Sequence, residues 1–418
     1  MCKTGRKGLR CQICTGCGLC PGVTPENSAP GGLHVLAEDA LGGKRIPFAR
    51  DGKRLAVADI GTTTIAMLLY DAGGGVADRF VEVNPQAVYG ADVLSRIKAA
   101  EETSAALQMR ESVRNVLGKG LKRFRNKLAA GEVLYLTVAA NTTMTYLFMG
   151  WDTAELGRAP FAASRLSGAE TELEGVDCFV LPGFSAFVGG DILAGCLACG
   201  MADREEITLF IDLGTNGELL LGNRHRRIAC ATAAGPAFEG GVNRGIWGAD
   251  MVRFLAILCR NGILDETGLL AEPYFDRGIR IGNVCITREA VRSVQLAKAA
   301  IAAGIEILLD KYGISGGEVD RIVLAGGFGY YLNPEDAARI GLLPRDFTDR
   351  TAAGGNTALS GALLAGRELL SSGWGKVREK LEGYKKDTEI VNLAMETGFE
   401  EKYIQCMALT EREADKGN

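Results

Sequence analysis

Two copies of one acidic, glycine-rich turn limit what this chain can fold into. Asp59-Ile60-Gly61-Thr62-Thr63-Thr64 comes first, and Asp212-Leu213-Gly214-Thr215-Asn216-Gly217-Glu218 comes later. Each follows an apolar run, Leu55-Ala56-Val57-Ala58 or Leu209-Phe210-Ile211, and each precedes another, residues 65–70 or Leu219-Leu220-Leu221. Strand, tight turn headed by Asp, and strand make a hairpin. Its exposed backbone N–H groups can hold phosphate oxygens, and its Asp can hold Mg²⁺. Two such hairpins facing each other form a nucleotide clamp. A third motif, Val323-Leu324-Ala325-Gly326-Gly327-Phe328-Gly329, has the shape of an adenosine-binding turn, with small residues that let backbone lie against base and ribose. Any one of these motifs alone also fits a plain structural turn; the repeat is what points to ATP.

The 418 residues suffice for two to three domains with a sizeable core. Hydrophobic residues at 47% and charged residues at 23% are ordinary for a soluble globular chain. A net charge of −4 gives no argument for nucleic acid or an anionic membrane as partner. The longest weakly charged stretch, residues 176–202, carries Asp177, Pro182 and Asp191, so it reads as a buried strand, loop and helix, not a membrane span. The first residues lack an apolar h-region, so no signal peptide is expected and the cytoplasm is the expected location.

Organisation follows from the same pattern. Residues 1–30 form a cysteine-rich head, 31–54 a linker with a short hairpin, 55–206 a first lobe and 207–375 a second. Residues 376–418 form a helical tail that packs on the body. Residues 110–130 are basic with a helical pattern, 133–139 read as a strand, and 320–324 as another. A long helix is expected over 287–312, with Val291, Val294, Ala297, Ile301 and Ile305 on one face.

The chain has 12 cysteines but only two histidines, His34 and His225, which leaves little for His-based acid/base or zinc catalysis. The head carries Cys11-x2-Cys14-x2-Cys17-x2-Cys20-Pro21, with Cys2 upstream. Thiolates at this spacing wrap an iron–sulfur cluster, and a cysteine before proline is a frequent ligand in bacterial ferredoxins, whose usual run has one more residue before the last Cys. One [4Fe–4S] cluster on Cys11, Cys14, Cys17 and Cys20 is the favoured reading, with Cys2 able to replace one of them. A structural Zn²⁺ site and metal-free reactive thiols remain as alternatives. Cys196-x2-Cys199 lies on an apolar helical stretch and reads as buried packing or as a second redox site. Cys178, Cys230, Cys259, Cys285 and Cys406 are isolated and expected to be structural.

Further blocks narrow the reading. They are Asn84-Pro85-Gln86-x-x-Tyr89-Gly90-x-Asp92-Val93-x-Ser95-Arg96-Ile97, Asn141-Thr142-Thr143-Met144, Gly189-x-Asp191-Ile192, Ala233-Ala234-Gly235-Pro236-Ala237-Phe238-Glu239-Gly240, and Val294-Gln295-Leu296-Ala297-Lys298-Ala299-Ala300-Ile301. The chain from about residue 55 to its tail resembles the acetate and sugar kinase, Hsp70 and actin superfamily. Within it, the blocks are similar to the C-terminal ATPase part of the reductive activators of corrinoid proteins.

That resemblance implies an α/β fold of two ribonuclease-H-like lobes with ATP and Mg²⁺ in the cleft between them. Asp59 and Asp212 would hold Mg²⁺ directly or through water. The turn backbones at Gly61, Thr62 and Thr63 and at Gly214, Thr215 and Asn216 would hold phosphates. Gly326, Gly327 and Phe328 would line the adenosine side. Asp191 and Glu218 are the candidates for orienting an attacking water; the alternatives are a helix N-cap for Asp191 and a solvated strand position for Glu218. The implied activity is ATP-dependent reduction of corrinoid cobalt from Co(II) to Co(I). Its implied partners are a corrinoid protein and a low-potential electron donor; a homodimer is conceivable, and neither nucleic acid nor membrane is expected.

The head departs from the better-known activators, which carry a longer plant-type [2Fe–2S] domain. Three rivals therefore stand. One is an activator of another iron–sulfur enzyme, of the 2-hydroxyacyl-CoA dehydratase or double-cubane type, with Cys196 and Cys199 holding a cluster across a dimer. The others are a small-molecule kinase and a nucleotide-gated binding protein, each with a structural metal in the head.

Overall fold

The apolar runs that lead into the acidic turns become inner strands of separate sheets, as uninterrupted apolar stretches do when both faces are covered. The computed structural model describes residues 52–214, 216–238, 248–281 and 284–413. The cysteine head with Cys11, Cys14, Cys17 and Cys20, the linker up to residue 51, and Thr215, Glu239 and Gly240 lie outside the described residues.

In the first half, β1 (Lys53–Ile60), β2 (Thr64–Tyr70) and β3 (Val76–Val83) form an antiparallel meander. Helices α1 (Val93–Ala99) and α2 (Thr103–Arg125) lead to β4 (Val133–Ala140), which pairs parallel to β1. Then come α3 (Thr142–Met149), α4 (Ala154–Gly157), β5 (Ala169–Leu173), β6 (Val176–Val180) and α5 (Gly190–Ala198). The sheet order is β3-β2-β1-β4-β6-β5.

The second half repeats the plan with β7 (Thr208–Leu213), β8 (Gly217–Gly222) and β9 (Arg227–Thr232) as its meander. It continues through α6 (Gly248–Arg260), a hairpin of β10 (Ile279–Ile281) and β11 (Val284–Ile286), and α7 (Arg288–Tyr312). β12 (Arg321–Ala325) pairs parallel to β7, followed by α8 (Gly326–Gly329), α9 (Pro334–Arg339), β13 (Thr351–Gly355) and α10 (Thr357–Ser372). The chain closes with α11 (Trp374–Lys386), β14 (Thr388–Ile390) and α12 (Phe399–Gln405), and the second sheet reads β13-β12-β7-β8-β9-β14. Both halves thus have the meander-plus-parallel-strand order of a ribonuclease-H-like lobe.

The expected long helix is α7. Thr287 caps it by accepting from the Ala290 amide, and left-handed Gly313 ends it. Several other expectations need correction. Residues 53 and 54, placed in the linker, belong to β1, because the ladder with β4 extends to Lys53 opposite Val133. The basic helix is α2, which starts earlier and stops at Arg125, with Lys122, Arg123 and Arg125 in its last turn where the helix dipole favours cations. The tail is not purely helical: Thr388 pairs with Arg227, so β14 adds a parallel edge strand beside β9.

The largest correction concerns α10. By chain order it belongs with the second half, yet it packs on β1 and β4 of the first sheet and against α5. Conversely, α5 reaches the second sheet, where a side chain at Gly195 would stand 2.3 Å from the Phe210 ring. One hydrophobic core therefore contains Leu55 and Val57, Ile192 and Leu193, Phe210 and Leu220, and Leu359 and Leu363. The two helices cross at small residues, since a Cβ on Gly361 would lie 2.0 Å from the Ala194 carbonyl oxygen. Among the described residues no helix is long and apolar enough to cross a membrane.

Candidate nucleotide cleft

Asp59 stands near the end of β1, with Ala66 of β2 and Ala139 of β4 as its register neighbours. Asp212 occupies the matching place on β7, with Glu218 of β8 and Ala325 of β12 beside it. The alanines leave room around each carboxylate.

The first turn is closed by the Gly61 amide donating to the Thr64 carbonyl at 2.9 Å. Buried Asn84 supports it from behind: its Nδ2 donates to the Gly61 carbonyl at 2.8 Å and its backbone amide to the Thr63 carbonyl at 2.9 Å. Asn141 caps α3 through its Oδ1 and donates from Nδ2 to Thr62 Oγ1 at 3.1 Å. In the second turn the Gly214 amide donates to the Asn216 carbonyl at 3.0 Å, and the Asn216 side chain hydrogen-bonds Glu218. Thr215 lies outside the described residues.

The adenosine-type turn abuts the second acid. Gly326 has φ +79°, and a Cβ there would sit 2.5 Å from Asp212 Oδ1, so only glycine fits. Gly327 is exposed, with open space where a side chain would go. Phe328 does not present its ring to the cleft. The ring is buried in the second lobe's core, stacked on Phe238 at 4.4 Å and 10°, which leaves only its backbone for an adenosine contact.

The carboxyl groups of Asp59, Asp191, Asp212 and Glu218 share one environment. Burial pushes Asp59 up to about 6, partly offset by a hydrogen bond from Asn356. Burial and then Asp59 push Asp191 up to about 7. Burial, then Asp191 and Asp59, push Asp212 up to about 8. Glu218 is held well above its ordinary value by burial and by Asp191 and Asp212. The three aspartates keep an edge open to solvent, whereas Glu218 is 8% exposed, so it is not a solvated strand residue. Nor is Asp191 a helix cap: Gly189 holds that place and Asp191 lies in the first turn of α5.

A hard divalent cation fits this oxygen-only donor set. No three acidic, histidine or cysteine side chains among the described residues converge tightly enough to hold a metal alone. Mg²⁺ keeps several waters and draws other ligands from phosphate.

Cys196 and Cys199 are a different matter. Both are buried in the core shared by α5 and the second sheet, and burial raises both thiols. A cluster shared with another subunit through them is inconsistent with this placement. Cys285, expected to be structural, is exposed.

The sequence reading missed Asn356. It caps α10 through Oδ1, accepting from the Leu359 amide at 2.9 Å, and its Nδ2 donates to Asp59 Oδ2 at 2.9 Å. A signal was present: Gly354-Gly355-Asn356 repeats Gly189-Gly190-Asp191.

Residues 55–204 match the RACo middle region, and residues 206–245 and 241–417 match the C-terminal domain of RACo, the ASKHA domain. The chain belongs to the RACo family. Among RACo-like proteins, corrinoid activation enzyme RamQ of Eubacterium limosum is 32% identical over 375 residues, covering 73% of this chain and 63% of that protein. A Co(II) methylated amine-specific corrinoid protein reductase of Methanosarcina barkeri is 23% identical over 302 residues, covering 57% of this chain and 55% of that protein. The chain therefore spans 63% and 55% of the lengths of these curated relatives. The solved structure of a reductive activator for a corrinoid, iron–sulfur protein superposes with TM-score 0.75 at 29% identity, covering 86% of this chain and 67% of that one. Its likeness supports the RACo assignment through the two-lobed body described above.

Proposed function

We propose that this chain is an ATP-dependent reductive activator of a corrinoid protein. The observation that carries the reading is the facing pair Asp59 and Asp212 in a body shared with relatives named for corrinoid activation. In this reading Asp59 and Asp212 hold Mg²⁺, which when bound neutralises charge on the phosphates. The backbones of Gly61, Thr62 and Thr63 and of Gly214, Thr215 and Asn216 take phosphate oxygens, and Gly326 and Gly327 offer backbone to the adenosine side. Asp191 lies beside both acids and Glu218 beside Asp212 and Asp191, and the two orient the water that attacks the terminal phosphorus; the raised proton affinity of Asp191 suits it to accept that water's proton near neutral pH.

The head belongs to the same proposal. Cys11, Cys14, Cys17 and Cys20 would hold one [4Fe–4S] cluster, which supplies single electrons drawn from a low-potential donor. Reducing corrinoid Co(II) to Co(I) is uphill from ordinary donors, by roughly 2.3 kcal/mol for each 100 mV. Closure of the two lobes on nucleotide provides a two-state element able to offset that cost.

The test is anaerobic. The protein is mixed with a Co(II) methyltransferase corrinoid protein and a chemical reductant, with and without ATP, and Co(I) is followed by absorbance. Co(I) should accumulate only with ATP, and ATP turnover should rise when the Co(II) partner is added. A variant with Cys11, Cys14, Cys17 and Cys20 changed to Ser should keep basal ATP turnover but lose Co(I) formation. ATP-independent reduction, or turnover that responds to a sugar or carboxylate instead, would overturn the reading.

A further inference from the structure

The two crossing helices begin in related ways. α5 opens with Gly189-Gly190-Asp191, and α10 is preceded by Gly354-Gly355-Asn356. Each helix follows the outer parallel strands of one sheet and packs across onto the other. The residue after each Gly-Gly pair therefore meets the acidic turn of the opposite lobe. Asp191, from the first half, bears on Asp212 of the second. Asn356, from the second half, donates its Nδ2 to Asp59 Oδ2 of the first at 2.9 Å. The halves differ in charge and in place on the helix: Asp191, in the first turn of α5, presents a carboxylate to a carboxylate, and Asn356, the cap of α10, presents an amide to a carboxylate.

The asymmetry has a physical consequence. Asp191, Asp212 and Glu218 repel one another when ionised, and Asp59 adds to the repulsion on Asp191 and Asp212. Asp59 is held instead by a neutral donor whose other end is committed: Asn356 Oδ1 accepts from the Leu359 amide at 2.9 Å. A side chain bonded at both ends has one orientation, and it passes that orientation to Asp59. The bond joins the head of α10, continuous with the second sheet, to the first sheet.

We propose that Asn356 is a positioning residue for the metal–nucleotide site, a neutral inter-lobe latch that fixes the Asp59 carboxylate toward the cation. The proposal rests on the nucleotide-site part of the functional reading. It assigns nothing to the cysteine head and needs no corrinoid partner.

Two variants test it, because both retain a side-chain oxygen able to cap α10 while deleting the amide donor. Asn356→Ser removes the reach to Asp59. Asn356→Asp keeps the shape but places a second carboxylate against it. The full chain with ADP is titrated with Mg²⁺ and followed by thermal shift, and Mn²⁺ binding without nucleotide is read from loss of the free-ion EPR signal.

In N356S the Mg²⁺ concentration for half-maximal protection by ADP should rise about tenfold, the scale of losing one hydrogen bond to a charged group. Without nucleotide, its melting temperature should fall by only a few degrees, about the cost of that one bond, because the cap survives. In N356D, Mn²⁺ should bind at least about threefold more tightly, since a further oxygen ligand faces Asp59. An N356S midpoint within twofold of wild type, or Mn²⁺ binding in N356D no tighter than wild type, would overturn the latch while leaving ADP binding by the wild type intact. If the wild type itself shows no Mg²⁺-dependent protection by ADP, the nucleotide reading falls and this inference with it.

Discussion

Asp212 shows how much the cleft costs the fold in the absence of a cation. Its carboxyl is pushed up to about 8 by burial and by Asp191 and Asp59. The folded chain thus binds that proton more tightly than the unfolded chain does. No cost arises below the unfolded value, near 4; the cost grows as pH climbs through the interval up to about 8. Asp212→Asn should therefore stabilise the nucleotide-free protein progressively as pH rises, by about 1.4 kcal/mol for each pH unit between the unfolded value and about 8, and by almost nothing at pH 4. The same change should lower ATP turnover about 10²–10³-fold, the scale of losing one electrostatic stabiliser of a reacting group. Thermal denaturation of both proteins across this pH range checks the first statement. A gap that does not widen with pH would show that the acids are not coupled as described. On the proposed function, stability and catalysis pull against each other at this residue.

At the scale of elements, the crossing of α5 and α10 is the joint of the molecule. It has no room for a side chain at Gly361, whose Cβ would lie 2.0 Å from the Ala194 carbonyl oxygen. Gly361→Val should cost about 3 kcal/mol in urea denaturation, since the obstacle is backbone and cannot turn aside. It should also weaken ADP binding by displacing the helix that carries Asn356. A loss under about 0.5 kcal/mol would mean that the helices slide freely past each other. The elements also divide by how they are specified. α7 was legible from a face of period 3.6, a local feature. β14 was not: three residues have no periodicity, and Thr388 to Ile390 become a strand only because β9 offers them an edge. The pair Cys196 and Cys199 reads as a motif in the sequence and as core in the fold, because spacing records proximity along a helix but not what covers it.

Across the whole molecule, the tail is held by groups far from it in sequence. Fully buried Lys298 donates to the Ala408 carbonyl, and Gln295 Nε2 donates to the Thr267 and Met407 carbonyls at 2.9 and 3.1 Å. The Leu409 amide donates to the Glu266 carbonyl at 2.7 Å, and Arg412 pairs with Glu306. Burial, with Arg412 next, pushes Lys298 down to about 7. Between that value and the unfolded one near 10, the unfolded lysine keeps its proton while the buried one sheds it, so this contact gains stability as pH rises. Lys298→Met keeps the volume but orphans the carbonyl. Limited proteolysis within residues 391–413 should then speed up about tenfold, and the pH dependence of that cleavage should flatten. Cleavage at the wild-type rate would show that the apolar contacts of α12 on Ala299, Ala302 and Ala303 suffice by themselves.

The sequence by itself determined the two acidic turns, the strands that flank them, the glycine turn at Gly326 and the family. Each depends on a few consecutive residues whose backbone preferences need no distant partner. Only the tertiary structure decided that α10 crosses to the first sheet, that Glu218 is buried against Asp191 and Asp212, that Phe328 turns into the core, and that Asn356 bonds Asp59 from 297 positions away. These facts arise where segments remote in the chain exclude water from one another. Burial, the coupling of carboxylates and the choice of hydrogen-bond partner are properties of that shared space, and no local pattern of residues encodes them.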